Sequence, residues 1–115
     1  MNKFLLILFL ILSGDAFGQS RFLNKNEVST LIDNGDLKIE EGDYFGAIHF
    51  YDLAYDLDST TKGIIYRLAI SNKGFHNYNK AMLLLMKIDK DKALKNSHPL
   101  YLFHMADILK REGKY

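Results

Sequence analysis

The chain contains no cysteine. That excludes a disulfide framework, a thiolate nucleophile and a zinc ribbon, and it leaves no N-terminal cysteine for lipid attachment. Proline occurs once, at Pro99. Net charge is nearly absent, at +1 formally, which argues against nucleic acid as a partner because such binding needs a clustered basic face. Long apolar runs are lacking as well: the longest, Phe4 to Leu12, has nine residues. That is about half of the roughly 20 needed to span a bilayer as a helix. No glycine-rich phosphate loop, nucleophile elbow or paired-carboxylate site occurs either.

What remains is enough for one soluble domain. Apolar residues make up 48% of the 115, sufficient for a packed core, and charged residues 25%, sufficient for a wet surface. The N-terminus reads as a secretion signal. Lys3 supplies a positive start, Phe4 to Leu12 the apolar stretch, and Ser13-Gly14 its break. Ala16-Phe17-Gly18 then places small residues at the −3 and −1 positions of a signal peptidase site. Residues 1–18 are thus expected to be removed and 19–25 to form a loose leader, leaving 97 of the 115 residues outside the inner membrane, in the periplasm or at the outer membrane.

The body of the chain is organised by recurrence. In the segment opened by Tyr44, Ala47, Tyr51 and Ala54 fall at i, i+4 and i+7, a small–large–small stripe on one helix face. Such a stripe suits a helix that approaches one neighbour closely and inserts a ring toward another. It returns 34 residues on, where Tyr78 answers Tyr44, Ala81 answers Ala47, Leu85 answers Tyr51 and Ala69 answers Gly35. A third copy starts at Pro99 with Leu102, Ala106, Gly113 and Tyr115, and Tyr115 follows Tyr78 by 37 residues. A period near 34 built from helix, turn and helix resembles the tetratricopeptide repeat. The expected fold is therefore all-α: a solenoid of helical hairpins over residues 26–115, with copies at about 28–61, 62–98 and an incomplete 99–115.

This register predicts five helices, over about 26–41, 44–57, 61–73, 78–88 and 99–111, with 89–98 as a polar connector. It overrides one local signal. Asn34-Gly35 is a strong turn dipeptide, yet the register sets it mid-helix, where the family favours a small residue at the crossing of two helices. The cost is roughly 1 kcal/mol of helix propensity. Ser59 stands where the family's usual proline would follow Asp58, so Ser59, Thr60 and Thr61 are expected to cap the third helix. Pro99 is expected in the first turn of the fifth. The third copy stops after its turn, leaving Leu102, Met105 and Leu109 without a partner helix, as expected of the N-terminal region of a longer protein.

No residue set points to chemistry. His49, His76, His98 and His104 fall on a helix, a turn, a loop and a helix, with no i,i+4 pair, so no metal site is expected. Asp33-Asn34-Gly35-Asp36 lacks the regular acidic spacing and closing glutamate of a calcium loop. Neither a cofactor nor a catalytic residue is predicted. The resemblance instead implies a non-catalytic scaffold whose first helices line a concave groove for a protein or peptide segment. In the family register Ile32, Tyr66 and Phe103 occupy one groove position in the three copies, and Asp36, Ile70 and Asp107 the position four residues later.

A narrower resemblance rests on Pro99, Leu100, Ala106, Leu109 and Gly113-Lys114-Tyr115 behind a cysteine-free signal. It is similar to the start of Gram-negative envelope proteins that join such repeats to a WD40-like propeller and an OmpA-like peptidoglycan-binding domain. That implies outer-membrane or peptidoglycan association through regions not in this sequence. The alternative is the sensor region of a membrane-bound signalling protein with a kinase or transcription-regulator output.

Overall fold

The computed structural model describes residues 25–114; the predicted signal peptide and all of the leader but Lys25 lie outside them. Among the described residues every regular element is a helix. Residues 25–40 form α1, followed by α2 (Tyr44–Leu57), α3 (Ile64–Gly74), α4 (Tyr78–Asp89), α5 (Lys92–Ser97) and α6 (Tyr101–Arg111). None of these helices is long and apolar enough to cross a membrane.

Three helix ends share one geometry. After α1, the Gly42 amide donates to the Ile39 carbonyl and the Asp43 amide to the Lys38 carbonyl, at 3.0 and 2.8 Å. After α3 the same two bonds run from His76 to Lys73 and from Asn77 to Asn72, and after α6 from Gly113 to Lys110 and from Lys114 to Leu109. The residue at the bend has positive φ each time: Gly42 at 77°, His76 at 65° and Gly113 at 70°. This is the Schellman ending, in which two orphan carbonyls are satisfied by the departing chain. The bends at 42, 76 and 113 are spaced by 34 and then 37 residues, the spacing of the sequence repeat.

The first and second of these turns are short enough to fold the next helix back on its predecessor, and α2 packs on α3, α3 on α4, and α4 on α6. The small–large–small stripes face inward. Ala47, Ala54, Ala69, Ala81, Leu85 and Ile88 are fully buried, and Tyr51 nearly so. Gly35 does sit within a helix, and its reason is steric: a Cβ there would lie 2.3 Å from the Tyr51 ring. Close approach of a helix to that ring outweighs the turn preference of Asn34-Gly35. Gly74 has a similar role at the next junction, where the Tyr44 ring occupies the space a side chain would need.

Four expectations need correction. The connector at 89–98 contains a helix, α5, capped by the Asp91 carboxylate, which accepts from the Ala93 and Leu94 amides. Only Leu94 of α5 packs against the core, so the segment carried too little apolar pattern to read as a helix. Second, α3 starts at Ile64 rather than near Thr61, because Gly63 turns the chain at φ 84° and no side chain caps the helix. The Thr60 hydroxyl and amide donate instead to Asp58. Third, Pro99 lies in the turn before α6, not in its first helical turn. Fourth, of the three residues expected to lack a partner only Leu102 is exposed; Met105 packs against the core and Leu109 is half-buried.

Candidate partner-binding groove

The helices that open each copy, α1, α3 and α6, are joined along one side by charged and aromatic side chains. At the α1–α3 junction the Asp36 carboxylate is gripped by the Arg67 guanidinium, Nε to Oδ1 at 3.0 Å and Nη2 to Oδ2 at 3.3 Å. It also accepts a hydrogen bond from the Tyr51 hydroxyl. Burial would raise the Asp36 pKa, but the bonds from Arg67 and Tyr51 and the Arg67 charge outweigh it and hold this carboxyl below its ordinary value. Burial first, then the bond to Asp36, pushes the Tyr51 phenol well above its ordinary value.

At the α3–α6 junction the arrangement is different. The Lys73 ammonium lies 2.6 Å from Asp107, which Arg111 also contacts at 3.1 Å. Lys73 further approaches His104 Nδ1 at 3.0 Å, while His104 Nε2 is 3.1 Å from the Tyr66 hydroxyl. An ammonium can only donate, so Nδ1 must accept and the imidazole is neutral with its hydrogen on Nε2. Nε2 therefore donates to Tyr66. Burial and the Lys73 charge hold the His104 pKa below its ordinary value, with Asp107 pulling weakly the other way. The Tyr66 ring stacks on His98 with centroids 4.5 Å apart and planes within 3°. Lys73 also sits 5.5 Å over the exposed Phe103 ring.

Two pockets open along this side. One of about 300 Å³ is lined by Asp36, Ile39, Glu40, Tyr66, Arg67 and Ile70, with the Tyr51 edge. The other, of about 310 Å³, is lined by Tyr44, Ile70, Lys73, His76, His104 and Arg111, with Gly74. Ile70 forms a wall of both, so the pockets adjoin.

Of the six positions predicted to line the groove, Asp36, Tyr66 and Ile70 meet in the first pocket. Phe103 and Asp107 lie on α6 and join the second through Lys73. Ile32 packs half-buried against the core and lines neither pocket. The acidic positions are not free for a ligand, since both carboxylates are committed to cations of the adjoining helix or their own. Sequence reading missed Arg67, His98 and His104. One signal was available: Asp36 and Arg67 are 31 residues apart, one 34-residue repeat less about one helical turn, while Lys73 and His104 span the same 31 residues across the longer second step. Opposite charges at that separation would have exposed the first pair.

Among the described residues no group of three or more histidine or acidic side chains is placed to hold a metal ion. Comparison with protein-family models, with curated proteins and with solved structures finds no match.

Proposed function

We propose that this chain is a tetratricopeptide-type interaction module, a solenoid of helical hairpins that holds an extended segment of another protein in the groove along α1, α3 and α6. The observation that supports the reading is the threefold helix ending at 42, 76 and 113, whose spacing follows the sequence period. A groove built this way offers what an extended segment needs. It has adjoining pockets spaced along one direction, an apolar wall at Ile70, and polar groups at each end. Its role is scaffolding rather than catalysis. The secretion signal read at Lys3 to Gly18 puts that role in a bacterial cell envelope, and the Pro99 to Tyr115 pattern favours an outer-membrane-associated protein with an OmpA-like domain.

Selection of a phage-displayed random peptide library on the purified protein tests the groove. Enriched peptides should lose binding to Ile70→Asp and Tyr66→Ala variants whose circular dichroism is unchanged. Enrichment of nothing, or of peptides indifferent to both substitutions, would contradict the reading. The envelope assignment has its own test, because export should yield a product beginning at Gln19. An intact N-terminus on protein recovered from the cell would refute it.

A further inference from the structure

Helices α2 and α4 occupy equivalent places in successive hairpins, and each buries one face against α3. Their opposite faces carry opposite charge. On α2, the side away from Ala47, Tyr51 and Ala54 presents Phe45, His49, Asp52, Leu53 and Asp56, and α2 contains no lysine or arginine. On α4, the side away from Ala81, Leu85 and Ile88 presents Lys80, Leu83, Met86, Lys87 and Lys90, and the only acid of that helix, Asp89, points elsewhere to Tyr101 and Lys95. Asp52 and Asp56, and Lys80, Lys87 and Lys90, have no ion-pair partner among the described residues, a condition Lys62, Lys92 and Lys110 share elsewhere on the surface.

Each face also has an apolar centre. Phe45 is 67% exposed and Leu83 63%. The Phe45 ring meets exposed Phe75, in the turn before α4, at a centroid distance of 5.6 Å, so an aromatic pair bridges the start of α2 to the start of α4. Exposed aromatics at the centre of a patch rimmed by unpaired charge are the composition of an association surface.

We propose that α2 and α4 form a self-complementary surface through which two copies of this chain pair, α2 of each copy against α4 of the other. A two-fold axis running between the two helices, along their shared direction, produces both contacts at once and brings the two aromatic pairs together. Two carboxylates then meet three ammonium groups at each contact. A second copy fits better than an anionic membrane, because the Asp52 and Asp56 face beside the lysines would be repelled by the same lipids. Each helix face is about 20 Å long at 1.5 Å per residue and about 10 Å wide, and each copy contributes two such faces. The buried patch is therefore on the order of 400 Å² per copy, below the roughly 800 Å² per partner of a standard stable interface. The dimer is weak, and its attraction is screened by salt.

Sedimentation velocity on the 97-residue chain from Gln19 tests the pairing. At about 0.1 M salt (Debye length about 10 Å), dimer should form at high micromolar concentration, and at about 1 M (about 3 Å) most of it should dissociate. Lys87→Glu/Lys90→Glu makes both faces acidic and should sediment as monomer; Asp52→Lys/Asp56→Lys makes both basic and should do the same. Mixed in equal amounts, the two variants should form a heterodimer. Circular dichroism guards against misfolding of either. A wild-type monomer at every concentration in low salt overturns the proposal, as does a dimer indifferent to both charge reversals, or variants that fold yet remain monomeric when mixed.

Discussion

At the first hairpin crossing the large residue is Tyr51 and its neighbour is Gly35, which leaves the ring all the space a Cβ would take. One repeat on, the equivalent residues are Leu85 and Ala69, a smaller side chain and one that has a methyl, both fully buried. Tyr with Gly and Leu with Ala are different partitions of similar volume, as two close-packed copies of one interhelical space would require. The polar ties differ too. Tyr51 carries a hydroxyl that donates to Asp36 beside the Arg67 guanidinium at the first junction, whereas Leu85 offers nothing and the second junction is tied by Lys73, Asp107 and His104. The repeat dictates where a side chain must be large or small, and leaves open whether the junction is sealed by a ring or by a network.

Removing the ring should have the largest effect. Tyr51→Ala empties a nearly fully buried site and removes the hydroxyl bond to Asp36, so it should lower unfolding free energy in urea by about 3–5 kcal/mol. A loss near zero would mean that the first crossing does not rest on that side chain. Next come the small positions shared by both crossings. Ala47→Leu and Ala81→Leu should each cost about 1–3 kcal/mol by overpacking, since both residues are fully buried. If only one destabilises, the second crossing is not a copy of the first.

The polar ties should separate by pH. His104 and His98 have pKa values below 6.5 in the fold, through burial first and then through Lys73 for His104 and through Arg67 and Lys62 for His98. The folded chain therefore binds fewer protons than the unfolded one. The stability these residues lend is complete above pH 6.5, declines as pH falls below it, and levels off once the folded pKa values are passed. The lowered Asp36 pKa works in another window: its contribution persists until pH approaches 3.8 and is lost below it. Urea midpoints measured between pH 7.5 and 5 should fall for the wild type. The fall should flatten in His98→Gln/His104→Gln, and an equal slope in that variant would contradict the neutral-imidazole junction.

The smallest effect expected is at the turns. His76 holds the left-handed conformation that Gly42 and Gly113 hold at the other two, at a cost of roughly 1–2 kcal/mol for a residue with a Cβ. His76→Gly should stabilise the chain by about 1 kcal/mol, less whatever is lost with the His76 bond to the Tyr78 hydroxyl. Thermal melting of that single variant checks it.

Much of this architecture was legible in the residues because periodicity reports burial. The span of α2 follows from Tyr44 to the Asp58 break, and Gly35 is readable as a helix residue only because its partner Tyr51 lies in register. What escaped had little burial to report. Helix α5 buries no residue and is held by the Asp91 cap, and the start of α3 is set by the backbone of Gly63. In the groove, the repeat register placed Asp36, Tyr66 and Ile70 together, but not Ile32, which turns into the packing. The groove's chemistry was less readable still, because Arg67, His98 and His104 acquire their partners from another hairpin or connector, at distances fixed by side-chain reach.

The most direct test of the shared crossing is to impose the second solution on the first. Gly35→Ala alone should cost about 1–3 kcal/mol, because the new methyl meets the Tyr51 ring, and Tyr51→Leu alone should cost a similar amount. In the double variant, which copies Ala69 and Leu85, urea denaturation should give a loss at least about 1 kcal/mol smaller than the two single losses added. Strict additivity, or a double variant worse than that, would mean that the two crossings are not the same piece of packing.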